Sequence, residues 1–225
     1  MRFLAALVLT AAAAAAQAGH WEGTVNADGR EIGFALDLAQ NAKGEWIASM
    51  GMPAQKMTGL VVKDLAVNGK SVKFMAVEIG MARADLTLAE NGKLTGTMSN
   101  PRGALKVELA RTGEAKVELP AAMPAVSKDL EGDWTGTIQT PGSDFQVEIH
   151  FKNQPDNTLK ATIDIPMQNA IDMPIDNVKQ TGDKVEFGLK IAHASFEGTL
   201  NKDRTELTGQ LGHGAQSMAV SLKKK

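Results

Sequence analysis

Apolar and polar residues alternate along much of this chain. Phe145, Val147, Ile149 and Phe151 interleave with Gln146, Glu148 and His150, the period-two pattern of a half-buried strand. Leu159, Ala161, Ile163 and Ile165 interleave with Lys160, Thr162 and Asp164 in the same way. Val185, Phe187, Leu189 and Ile191 repeat the pattern, as do Met218, Val220 and Leu222. Turn chemistry separates the runs at Pro141-Gly142, Asp156-Asn157, Gly182-Asp183 and Lys202-Asp203.

The pattern occurs twice. At an offset of 113, Trp21-x-Gly23-Thr24 falls on Trp134-x-Gly136-Thr137, and Pro53-x-Gln55 falls on Pro166-x-Gln168. Gly69, Val72 and Phe74 meet Gly182, Val185 and Phe187; Leu94-Thr95-Gly96 meets Leu207-Thr208-Gly209; Val107 and Leu109 meet Val220 and Leu222. Between Ala82 and the following turn the offset drops to 112, so that Thr87-Leu88 meets Thr199-Leu200. The first copy places Asp28-Gly29, Asn68-Gly69 and Asn91-Gly92 at its turns. Residues 19–113 and 131–225 are therefore two copies of one unit, and residues 114–130, with Pro120 and Pro124, read as a semi-rigid linker.

Counting the Trp-x-Gly segment, each unit holds about eight short strands joined by short loops, which forces an antiparallel up-and-down order. Closing such a sheet removes both of its edges. The expected fold is all-β: two tandem small antiparallel up-and-down β-barrels of the lipocalin or streptavidin kind, with a flattened sandwich as the alternative.

The first 18 residues break the pattern. Met1-Arg2 is followed by Phe3-Leu4-Ala5-Ala6-Leu7-Val8-Leu9 and an alanine-rich run through Ala16, and Ala16-Gln17-Ala18 has the small-x-small form that signal peptidase reads. Residues 1–18 are read as a signal peptide cut after Ala18, because the run is too short and alanine-rich for a secure transmembrane anchor. The product is expected in the periplasm or beyond. Without cysteine it must be held by its cores alone. The 225 residues carry 24 Lys and Arg against 26 Asp and Glu, which gives no electrostatic reason to bind nucleic acid.

The second copy has further signatures in order: Gly132-Asp133-Trp134-Thr135-Gly136, then Gln168-Asn169-Ala170 with Met173-Pro174-Ile175-Asp176. Gly182-Asp183-Lys184-Val185-Glu186-Phe187, Phe196-Glu197-Gly198-Thr199-Leu200, Leu207-Thr208-Gly209 and Gln216-Ser217 follow. In these segments the chain resembles the N-terminal β-domain that precedes the catalytic domain in a group of secreted bacterial α/β-hydrolases, closely over 131–225 and more loosely over 19–113. The resemblance implies the module's fold and its export. It does not imply hydrolysis, since no Gly-x-Ser-x-Gly nucleophile elbow occurs. A separately encoded hydrolase is the partner it suggests.

Other chemistry is sparse. Met50, Met52 and Met57 could suggest soft copper ligands, yet Met50 and Met52 align with Ile163 and Ile165 and read as core positions. His20, His150, His193 and His213 lack ligand spacing, and no metal or cofactor is expected. Asp85 and Glu197 occupy matching positions in separate units and read as solvated carboxylates; Lys223-Lys224-Lys225 reads as a solubilising edge. The aromatic residues Trp21, Phe34, Trp46 and Phe74, with Trp134, Phe145, Phe151 and Phe187, fall on or near inward faces. They either fill the barrels or line a small apolar cavity; in the second case Trp21, Phe34, Trp46, Phe74, Trp134, Phe145 and Phe187 are the candidate ligand-binding residues. The expected function is that of an exported non-catalytic accessory or interaction module, the alternative a carrier of a small apolar ligand.

Overall fold

The computed structural model describes residues 16–27, 30–101, 103–140 and 142–225. Most of the leader and the Asp28-Gly29 turn lie outside these residues, as does Pro141. The chain divides into two compact units, Met1–Leu119 and Pro120–Lys225.

Among the described residues, the first unit is a closed barrel of antiparallel strands. In order these are β1 (Gly19–Ala27), β2 (Arg30–Gln40), β3 (Trp46–Met52), β4 (Met57–Asn68), β5 (Ser71–Ala76), β6 (Ala82–Leu88), β7 (Leu94–Asn100) and β8 (Gly103–Gly113). Each strand pairs with its neighbour in sequence, and β8 closes the ring on β1 with Gly23 opposite Leu109. The period-two pattern becomes barrel geometry: Phe34, Leu36 and Leu38 point inward and are buried, as are Val72, Phe74, Ala82, Ala84 and Leu86.

The second unit follows the same path. A short β9 (Met123–Pro124) precedes β10 (Gly132–Thr140), β11 (Ser143–Asn153), β12 (Thr158–Ile165), β13 (Ala170–Pro174), β14 (Asp176–Thr181), β15 (Lys184–Leu189), β16 (Ala194–Leu200), β17 (Glu206–His213) and β18 (Gln216–Lys224). The ladder runs from β13 through β12, β11, β10, β18, β17, β16 and β15 to β14. Its two end strands are halves of one segment, joined through Ile175, and correspond to the single β4 of the first unit. The second sheet is thus a nearly closed barrel whose two end strands are consecutive in the chain.

The reason lies in how the fourth strand changes partners. In the first unit Leu60 and Val61 pair with β3, and from Val62 onward the strand pairs with β5. Left-handed residues at Gly59 (φ 61°) and Asp64 (φ 52°) flank the exchange. Asp172 (φ 56°) and Asn177 (φ 53°) hold the equivalent places in the second unit. Asp and Asn are among the few residues with a Cβ that tolerate this region.

Residues 114–130 are bound to the units on either side rather than running free. The Lys116 and Glu118 backbone N–H groups donate to Asp37 Oδ1 at 2.7 Å and to Ser49 Oγ at 3.0 Å, strapping this segment across the outside of the first barrel. Beyond Pro120, β9 pairs with β12, while Met123, Val126 and Leu130 pack on the second core.

One indole is buried near the start of the first strand of each barrel. Trp21 and Trp134 are 1% and 0% exposed. Each donates its ring N–H to the carbonyl four residues earlier, Trp21 to Gln17 at 2.9 Å and Trp134 to Leu130 at 2.8 Å. The glycine two residues on is sterically required. A Cβ on Gly23 would lie 2.1 Å from the Glu108 carbonyl oxygen, and one on Gly136 would lie 1.9 Å from that of Ser221.

Candidate functional site

The aromatic candidates sort by depth. Trp21, Phe34, Phe74, Trp134 and Phe187 are buried, while Trp46 and Phe145 are half-buried, the latter packed against the second core. In the second barrel Phe187 stacks on Phe196 (centroids 4.6 Å apart, rings 20° from parallel) and meets Phe151 edge-on at 6.2 Å. The equivalent residues of the first barrel are Leu38, Phe74 and Ala84, so the aromatic triple has no counterpart there. Buried Met50, Met57, Met75 and Met98 supply core volume in that barrel. In the second barrel the candidates Trp134 and Phe187 are thus part of the packed core, and Phe145 lies against it.

Polar chemistry gathers on the outer faces instead. His20, at the start of β1, faces Asp37 across the ladder, with Nδ1 2.9 Å from Asp37 Oδ1 and Nε2 3.3 Å from Glu22 Oε1. His150 on β11 has Nδ1 2.7 Å from Asp133 Oδ1 and Nε2 3.4 Å from Asp164 Oδ2. These are one cross-strand pair written in opposite order. His20 aligns with Asp133, and Asp37 with His150. Read singly, neither histidine has a histidine counterpart; read as a pair across the first hairpin, each has its partner's counterpart.

Burial works against protonation of both rings, but the hydrogen bonds and negative charges of the flanking carboxylates outweigh it. Both pKa values are held above the ordinary value of 6.5. A ring with a carboxylate at each nitrogen favours the doubly protonated cation and leaves no ring nitrogen for a metal. Among the described residues no group of three or more His, Cys, Asp or Glu side chains is arranged to hold a metal ion. His193 and His213 are exposed.

A groove of about 460 Å³ runs between the first barrel and its strap, lined by His20, Asp37, Met50, Met57, Lys116 and Glu118 among others. A second, of about 510 Å³, lies on the other unit beside Ser127, Gln180, Asp183 and Arg204. Arg204 is already paired there with Asp183 and, at 3.6 Å, with Asp129. The carboxylates singled out by position are solvated: Asp85 pairs with Lys73 at 2.7 Å, and Glu197 is exposed. The terminal lysines are tied to the barrel. Lys224 Nζ sits 5.6 Å from the Trp134 ring centre and donates to the Asp129 carbonyl at 2.7 Å, while Lys225 Nζ meets Glu148 at 2.7 Å.

The architecture is that of a tandem antiparallel β-barrel protein. No protein-family model matches the chain, and no curated protein does. Among solved structures, it is similar to a protein of unknown function of the DUF3598 family from Nostoc punctiforme, at 13% identity and TM-score 0.31, covering 95% of this chain and 98% of that one. It is also similar to a protein described provisionally as an outer membrane protein from Bacteroides fragilis, at 16% identity and TM-score 0.28, covering 95% and 99%. Among the described residues, no helix is long and apolar enough to cross a membrane.

Proposed function

We propose that this chain is an exported, non-catalytic binding protein that engages its partner through the outer faces of its barrels, not by enclosing a ligand. The observation that carries this reading is the packing of the interiors. Five of the seven aromatic candidates are at most 5% exposed, and Phe187 is sandwiched against Phe196 and Phe151. A barrel of this strand number either fills its interior or holds one small ligand, and these side chains occupy the space that a ligand would need. The outer faces, by contrast, carry the charged pairs and both grooves. A separately encoded secreted hydrolase is the partner class suggested by the sequence resemblance.

Titration with a polarity-sensitive fluorescent fatty acid, read through tryptophan emission, tests the reading. No saturable uptake is expected. Stoichiometric, displaceable binding that is weakened by Phe187→Ala while the protein stays folded would establish the carrier reading instead.

A further inference from the structure

We propose that the mature chain begins at Gln17, the leader being cut between Ala16 and Gln17 rather than after Ala18. This inference rests on the reading of the N terminus as an export signal. It is carried by what Gln17 does in the first barrel. Gln17 is 1% exposed, and its backbone carbonyl is the acceptor for the Trp21 ring N–H at 2.9 Å. Its side-chain Nε2 donates to the Gly69 carbonyl at 2.5 Å, in the turn between β4 and β5.

The duplication supplies an internal control. Four residues before Trp134 stands Leu130, 0% exposed, whose carbonyl accepts the Trp134 ring N–H at 2.8 Å. The residue four before the tryptophan is thus an integral part of the unit in both copies. A mature chain starting at Gly19 would lack it in the first barrel only. The Trp21 N–H would then be buried without its acceptor, and the barrel would lose a fully packed side chain.

The leader does not require that loss. A cut after Ala18 reads Ala16 and Ala18 as the small residues; a cut after Ala16 reads Ala14 and Ala16, which are equally small. Signal peptidase would add water across the Ala16–Gln17 amide. The Ala16 carbonyl carbon gains the hydroxyl and the Gln17 nitrogen gains the proton.

The test is tandem mass spectrometry of the N-terminal tryptic peptide from protein recovered after export of the full chain. That peptide ends at Arg30, the first Lys or Arg beyond the leader. A peptide beginning at Gln17 is the expected result, and one beginning at Gly19 overturns the inference. An uncut leader on protein retained in the cytoplasm overturns the export reading itself, which is a different result. As a second arm, Ala18→Leu places a large residue where only a cut after Ala18 needs a small one. Processing is expected to continue unchanged at Gln17; its loss in Ala18→Leu also overturns the inference.

Discussion

In the first barrel the fourth strand leaves β3 at Val61 and joins β5 at Val62, and the Val61 N–H points out of the ladder. The Glu78 carboxylate, 5% exposed, accepts that N–H. In the second barrel the same exchange falls at Ile175, between Pro174, which pairs with β12, and Asp176, which pairs with β15. Proline has no N–H to satisfy, and the next N–H, that of Ile175, reaches the Ala161 carbonyl at 3.0 Å. One copy answers an orphan donor with a buried acid; the other removes the donor. The His–Asp pair shows the same freedom, since exchanging the two residues across the ladder preserves the contact. What the copies share is therefore a set of backbone requirements, met by different side chains. The shared parts are the positive-φ positions, the Trp-x-Gly segment and the carbonyl four residues before each tryptophan.

The comparison is broken most severely by removing a buried indole. Truncation of a buried Trp typically costs about 3–5 kcal/mol, a large share of the stability of a small domain. Trp134→Ala is expected to abolish or strongly lower the melting transition of the second unit while leaving that of the first. Differential scanning calorimetry reads both. Loss of both transitions together would mean that the two barrels do not fold as separate units.

A smaller effect tests the exchange at the fourth strand. Glu78→Leu should leave the Val61 N–H buried without its acceptor and destabilise the first unit by about 1–3 kcal/mol. Adding Val61→Pro copies the second barrel's answer and is expected to recover a substantial part of the loss in chemical denaturation. If the proline worsens the Glu78→Leu protein, the two solutions are not interchangeable. Val61→Pro alone, with Glu78 retained, leaves the acid buried without one of its donors and should be less stable than the double variant.

The sequence shows the fold more readily than the site because alternation and repetition are properties of strands, whereas the site depends on register. Phe145 to Phe151 and Val185 to Leu189 display their inward faces directly, and the offset of 113 brings Trp21 onto Trp134; Ile191, which continues the alternation in sequence, lies instead in the 3-10 turn Lys190–Ala192 after β15. The His20–Asp37 and Asp133–His150 pairs needed one further step, aligning partners across a hairpin rather than residues one by one. The break at Ile175 carries no local signal, since both halves of the strand alternate; Pro174 opposite Val61 is its one trace. Glu78 lies where the two copies differ in length by a residue, so alignment alone could not give it a counterpart. The linker composition of 114–130 was legible, but not that the Lys116 and Glu118 N–H groups would find Asp37 and Ser49. Those contacts depend on the curvature of the closed sheet.

The smallest expected effect concerns the exchanged pairs themselves. Because the folded pKa of His20 and His150 lies above the ordinary value, their contribution to stability is complete below about pH 6.5 and is lost as pH rises through the raised value. His150→Gln should remove that part of the pH dependence from the second unit only, seen by comparing melting at about pH 6 and about pH 8. In the first unit, His20→Asp alone places a third carboxylate beside Asp37 and Glu22 and should destabilise. Combining His20→Asp with Asp37→His reproduces the order found in the second barrel and should recover the cross-strand contact. It cannot recover everything, because Asp37 Oδ1 also accepts the Lys116 N–H at 2.7 Å and a protonated imidazole accepts nothing. The double variant is therefore expected to remain about 0.5–1.5 kcal/mol below wild type, the worth of one hydrogen bond. Faster amide exchange at Lys116 should accompany the deficit. Full recovery with Lys116 still protected would mean that the strap is held by Ser49 and packing, and that the histidine–carboxylate pair stands apart from it.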